Sequence, residues 1–390
     1  MKAHQSHLIL LCTLLVSSLI SQQAFSQAPN IIDSLKMELR LFDAKKKALG
    51  AKAPKMMDTV QIQTLNQLTS EFFKTNPNGA LFYAKSELLL SEKINYSIGI
   101  ANANNALGAY YDFKSNYPIA MDYYKKALKT KIVRKDKIGQ IDLYNNIGVV
   151  YTKLANYPMA MEHLLKGLAI SKQANDIMGI FGSYNNIGVV YKSQENYTAA
   201  LKNYFNCLSV QEKMKDINFL GVTYYNIGDI YTAQKQFEKA LQYYNLALAA
   251  AGKTGDLVTK ADAIEGTGFI YQKKEDYNQA LSSFFEALSI RQEIEYNFGI
   301  ASSYIYIGHT YLKTGNNQQA VMYLEKGLSL VKKNGELDLM QQAYQFLSEA
   351  YDAGKDYKRA YENHLLFKKF NDSIFNAKNA KKLVEQQMNF

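Results

Sequence analysis

Three asparagines recur one beat apart: Asn146, Asn186 and Asn226 each stand two residues before a glycine, Gly148, Gly188 and Gly228. Asn145 and Asn185 stand beside two of them. A carboxamide offers both a donor and an acceptor, so it can pair with the N–H and C=O of another backbone whatever that backbone's side chains are. Asparagine is only a middling helix former, so its return at one position three times running calls for a reason. Two reasons stand open: the amides face a ligand, or they bond to the next copy of the motif and hold the stack together. The row lapses at Ala106, Gly266 and Tyr306. Lys192, Asp229, Lys273, His309 and Lys313, with Asp112 and Thr152, occupy nearby positions and would set specificity through charge.

Other chemistry is hard to assemble from this chain. His163, His309 and His364 fall far apart, with no carboxylate or cysteine at metal-ligand spacing. The glycines form no phosphate-cradling loop, and the serines lack the context of a nucleophile elbow. Cys207 stands where equivalent positions hold Ala127, Gly167, Ala247, Ala287 and Gly327, which reads as a small buried filler rather than a reactive thiol. The expectation is a chain without catalysis, cofactor or metal. The net charge of +10 is spread over the surface without arginine–aromatic interleaving, so nucleic acid is not an expected partner.

The elements that must position the asparagines are written in a strict repeat. Gly108, Gly148, Gly188, Gly228, Gly268 and Gly308 are each followed three places on by a tyrosine, Tyr111, Tyr151, Tyr191, Tyr231, Tyr271 and Tyr311. Ala120, Ala160, Ala200, Ala240, Ala280, Ala320 and Ala360 keep the same beat. Such a period marks an array of structural units, each packing only on its neighbours. Within residues 141–180, Leu143, Tyr144, Ile147, Val150 and Tyr151 have helical spacing, and Asn156-Tyr157-Pro158 interrupts it. Pro158 then falls in the first turn of a second helix, where its missing N–H costs nothing. Gly148 and Ala160 let the two backbones approach, with Tyr151 and Leu164 expected at the flanks. Asp136, Asp176, Asp216 and Asp256 are placed to cap the first helix of the following unit.

Gly148, Tyr151, Ala160 and the small residue at Gly167 resemble the signature of the tetratricopeptide repeat, in its longer forty-residue variety. The resemblance covers residues 61–372, strongly over 101–340. It weakens at both ends, where Leu68 and Ser348 replace the glycine and Phe367 the small residue. It implies an all-α, right-handed superhelical solenoid of antiparallel helix pairs whose first helices line the concave face. It also implies a scaffold or adaptor that binds a protein or an extended peptide in that groove. Asparagines matching Asn146, Asn186 and Asn226 grip peptide backbone in that family. The candidate site is therefore those three with Asn145, Asn185, Lys192, Asp229, Lys273, His309 and Lys313.

The flanks carry their own expectations. Residues 1–26 have the order of a secretory signal peptide: Lys2, an apolar run from Leu8 to Ile20, then Ala24-Phe25-Ser26 as a cleavage exit. That predicts a periplasmic or secreted protein with no membrane span once the leader is removed. Residues 27–60 read as an amphipathic helix, Asn30 to Leu49, and a mobile link, Lys45 to Lys55. Lys358 to Phe390 reads as one long helix, or two joined at Asn371-Asp372-Ser373. Its terminal part, 373–390, carries Ala377, Ala380, Val384 and Met388 on one stripe suited to self-association or to simple capping. This ending resembles that of exported tetratricopeptide sensors of the Bacteroidetes type. There a coiled coil leads on to a membrane helix and a histidine kinase, cyclase or DNA-binding output. On that alternative the chain is the sensing module, acting alone or as a truncated relative.

Overall fold

The computed structural model describes residues 31–50, 55–214, 217–334 and 337–388, and every element among them is a helix. The leader and Asp216 lie outside the described residues. The chain forms two compact units, one up to Gly99 and the other from Ile100 onward.

In the first unit, α1 (Ile31–Leu49) packs on α2 (Lys55–Thr75), and α2 pairs with α3 (Pro77–Lys93). Lys45–Leu49, expected in a mobile link, instead continues α1. There Lys46 is ion-paired to Asp58 and donates to Gln61 at 3.1 Å, so this lysine serves the helix contact. Glu87 is the unusual residue here. It takes the position that holds Ala127, Gly167, Cys207, Ala247 and Ala287 elsewhere, and is fully buried; its partner among the described residues is the Asn66 amide, 3.2 Å from each oxygen. Burial pushes its carboxyl up to about 8, against the partial relief of the Asn66 bond. Folding therefore favours the protonated form. That contribution is complete below about pH 4.5 and lost as pH rises through 8. The α2–α3 pair is expected to be weaker at pH 9 than at pH 5 by a few kcal/mol, since each pKa unit is worth about 1.4 kcal/mol. Hydrogen-exchange protection of the α3 amides would show this, and Glu87→Gln would flatten the dependence.

The second unit is a run of antiparallel pairs: α4 (Ser97–Phe113) with α5 (Tyr117–Val133), α6 (Lys137–Lys153) with α7 (Tyr157–Ala174), and α8 (Ile177–Ser193) with α9 (Tyr197–Met214). Next come α10 (Leu220–Ala233) with α11 (Phe237–Thr254), α12 (Leu257–Lys273) with α13 (Tyr277–Glu293), and α14 (Asn297–Lys313) with α15 (Asn317–Asn334). The run ends with α16 (Leu337–Ala353) and α17 (Tyr357–Met388). α17 is one continuous helix through Asn371–Ser373, whereas the stripe from Ala377 to Met388 lies beyond the described side chains. Each second helix packs on the next first helix. In addition α6 touches α8, α10 touches α12 and α14 touches α16, so the first helices share one face of a solenoid.

The packing rule inside a pair differs in one respect from the sequence reading. Leu164 lies over Gly148 rather than at its flank: a Cβ on that glycine would come within 2.6 Å of the leucine's Cγ. Tyr124, Tyr204, Tyr244, Phe284 and Leu324 stand over Gly108, Gly188, Gly228, Gly268 and Gly308 in the same way. The glycine is the socket and the large residue of the second helix is the plug.

The tight turn between the helices of a pair is a Schellman motif. After α6, Asn156 N–H donates to Tyr151 C=O and Ala155 N–H to Thr152 C=O, both at 2.9 Å. The motif needs one left-handed residue, and Ser115, Ala155, Glu195, Lys235, Glu275 and Lys355 take it with φ between 56° and 62°. An L residue loses roughly 1–2 kcal/mol there, part of which a glycine's extra unfolded-state freedom cancels. Ala155→Gly is therefore expected to raise stability by about 0.5–1 kcal/mol in urea unfolding. Among the expected caps, Asp136 accepts from Gly139 N–H and Asp256 from Thr259 N–H, each at 3.0 Å. Asp176 makes no such bond.

Candidate functional site

The asparagine row falls on the shared face of α4, α6, α8 and α10. Asn146 Nδ2 donates to Asn105 Oδ1 at 3.0 Å, and Asn226 Nδ2 donates to Asn185 Oδ1 at 3.1 Å. Asn185 also reaches Asn186 Oδ1 at 3.5 Å. These amides are half-buried, and each uses one or two of its four hydrogen-bonding positions inside the stack. The use shown by these bonds is the second of the two read from the sequence, a rung from one repeat to the next.

Asn145 is a correction. It is buried, and its Oδ1 accepts from Ser183 Oγ at 3.1 Å, so it is committed to the joint between α6 and α8. One helical step, about 100°, separates it from Asn146 and carries it off the open face. Gly167 leaves the space, since even a Cβ there would lie 3.3 Å from Asn145 Oδ1. One repeat on, Cys207 stands in the place of Gly167, and Asn185 turns outward to Asn226.

The charged candidates divide into two groups. Lys192 and Asp229 are ion-paired to each other between α8 and α10, so they stitch repeats together, as Lys153 and Asp112 do at 2.8 Å. Lys273 and Lys313 are exposed and have no ion pair among the described residues. His309 is half-buried and stacks on Phe346, with ring centroids 4.0 Å apart and planes at 11°. Its Nδ1 lies 3.4 Å from Gln272 Nε2, which also donates to Thr310 Oγ1 at 2.8 Å. Burial, then Lys313 and Lys273, push its pKa down to about 4, so the ring is neutral at physiological pH.

Two groups escaped the sequence reading. Asn105 begins the amide row, one residue before the position that was followed. Arg291 on α13 is buried between helices. It pairs with Asp262 at 2.7 Å and with Glu265, both on α12, and donates to Ser303 Oγ on α14 at 2.7 Å. A lone arginine in a helix reads as surface. The signal was its register with Ser171 and Gln211, both buried.

Among the described residues no cluster of three or more His, Cys, Asp or Glu is arranged to hold a metal, and no helix is long and apolar enough to cross a membrane. What the face can do is hydrogen-bond. Its half-buried amides suit backbone groups, and two lysines flank a neutral histidine on an aromatic ring.

Comparison with known proteins places this geometry. A tetratricopeptide-repeat family model matches residues 179–253 and 261–333, and a second matches residues 141–176. No curated protein matches by sequence. Among solved structures, the chain is similar to the Signal Transduction ATPase with Numerous Domains protein with a tetratricopeptide repeat sensor from Pyrococcus horikoshii. The identity is 18% and the TM-score 0.58 over 90% of this chain, which spans 54% of that protein. It is similar to a Rap protein complexed with Competence and Sporulation Factor, at 14% identity and TM-score 0.58, covering 89% of this chain and 99% of the other. The apo quorum sensor NprR from B. thuringiensis gives 17% identity and TM-score 0.58, covering 87% and 97%. At these identities the likeness is one of fold. With helix pairs on a forty-residue beat, glycine sockets and matched repeats from 141 to 333, the chain is a tetratricopeptide-repeat protein.

Proposed function

We propose that this protein is a non-enzymatic interaction scaffold whose first-helix face holds an extended segment of a partner protein. The repeats support a protein-interaction role in general. The observation that carries the finer reading is the amide row on α4, α6, α8 and α10, half-buried and only partly used within the stack. An extended peptide laid along it would find a donor or acceptor at each repeat, which gives affinity without sequence dependence. Lys273 and Lys313 would then favour an acidic residue further along. Export rests on the leader-like residues 1–26, and intact mass of the envelope form would test it by showing Gln27 as the first residue.

The test begins with peptides selected on the purified protein from a displayed random library. Asn146→Ala with Asn186→Ala is expected to weaken a selected peptide at least tenfold. Stability should fall by no more than about 1–2 kcal/mol, the worth of one or two partly exposed hydrogen bonds. Unchanged affinity together with a larger loss of stability would assign the amides wholly to the scaffold.

A further inference from the structure

The turn that joins α5 to α6 departs from the equivalent turns in one respect. Where it has Ile132-Val133, the other units run from Lys172-Gln173 and Glu212-Lys213 to Gln292-Glu293 and Lys332-Lys333, none with an aliphatic residue. Ile132 is 47% exposed and Val133 77%. Neither joins the core beneath, which Tyr124, Ala127 and Leu143 build. Ile138, just past the turn in α6, is 52% exposed. Three aliphatic side chains therefore stand in solvent within seven residues, on a projecting helix end rather than in a cleft.

The same stretch is strongly basic. Lys125, Lys129, Arg134, Lys135 and Lys137 are all exposed. Lys125, Lys129, Ile132 and Val133 follow one another at helical spacing, so they share one stripe of α5 that ends at the turn. The carboxylates nearby are already engaged. Asp122 holds Lys126 at 2.7 Å, while Asp136 holds Lys131 at 2.9 Å and caps α6 through Gly139 N–H. Lysines at a helix C-terminus are favoured by the dipole whatever they meet, but that gives no reason for bare isoleucine and valine among them. Nucleic acid would call for aromatic platforms between the charges, and this turn has none. Aliphatic side chains with a collar of cations suit a surface that is anionic outside and hydrocarbon beneath.

We infer that this turn docks on an anionic lipid bilayer, with Ile132, Val133 and Ile138 entering the headgroup boundary and the five cations resting on lipid phosphates. The contact lies at the edge between a second helix and the following first helix, so it stands or falls separately from the amide row.

Dansylalanine placed at position 138 of the full chain reads the contact directly, titrated with vesicles of phosphatidylcholine alone or with about one-third phosphatidylglycerol. A blue shift is expected on the anionic vesicles, with binding at least tenfold tighter than on the zwitterionic ones and weakened by added salt. The same probe at Val258, the equivalent position three units on, should not shift. It controls for the apolar run Leu8–Ile20, which would hold the chain near any bilayer without seating this turn. Lys129→Gln with Lys137→Gln should weaken the response about twentyfold, at roughly fivefold for each charge. Lys129→Arg with Lys137→Arg should keep it. Ile132→Ser with Val133→Ser should weaken it about tenfold and leave the salt dependence unchanged. All four positions are exposed, so thermal unfolding should stay as in the parent chain. No shift at 138, equal shifts at 138 and 258, or indifference to both neutralising and serine pairs would overturn the assignment. A shift induced by polyglutamate but not by anionic vesicles would overturn it in favour of an acidic protein partner.

Discussion

Replacing Gly188 by leucine is expected to unfold the middle of the second unit. A Cβ at Gly188 would already lie 2.7 Å from Tyr204 Cε1 and 2.9 Å from its Cζ. Tyr204 is fully buried, so its ring has nowhere to move, and leucine adds three more carbons to the clash. Inserting bulk into a well-packed core typically costs about 1–3 kcal/mol, and here the upper end or beyond is expected because the socket and plug are both on rigid helices. Each repeat leans on its neighbours, so the loss should spread to α6–α11, seen as early proteolytic cleavage there and a lower urea midpoint. Gly252→Ala is the matched control. Nothing lies within 4 Å of its Cβ position, so removing a helical glycine should be neutral or slightly stabilising.

Arg291→Ala is expected to cost about 3–5 kcal/mol, because it removes one partner of a buried charge cluster and strands the others. Burial would lower the guanidinium's pKa, but Glu265 and Asp262 outweigh it and hold the group above its ordinary range. Burial likewise raises both carboxyls, with Arg291 pulling them back down. Without the arginine that restraint is gone. A raised carboxyl contributes stability at low pH that is lost as pH rises through its folded pKa, so the variant's deficit should be larger at pH 8 than at pH 5. Arg291→Met combined with Asp262→Leu and Glu265→Met should recover most of the loss, since apolar packing can replace a buried ion cluster. Urea unfolding at the two pH values checks both statements.

These residues also show what the sequence could reveal. The helix pairs were legible because small residues must recur wherever two backbones touch, and a forty-residue beat of glycine and alanine has no other economical reading. The plug over each glycine was not, because spacing fixes which side of a helix a residue takes and not how far it leans across the crossing. Asn145 and Asn146 are adjacent letters with opposite fates, decided by the space at Gly167 and the hydroxyl of Ser183 on other helices. Lys192 and Asp229 each read as a free surface charge until their repeats are stacked. Phe219 departs from a column that holds glycine at 99, 139, 179 and 299, as Thr259 and Leu339 also do, so the letter alone did not say how its joint would pack.

Recognition by the first-helix face has a direct positional test. A photoreactive benzoylphenylalanine is placed at Lys273 or Lys313 on that face, and at the exposed Lys166 or Lys202 on second helices. Each variant is irradiated with a selected peptide. Adducts from 273 and 313 with none from 166 and 202 are the predicted outcome, whereas adducts confined to the second-helix positions would show that partners bind elsewhere.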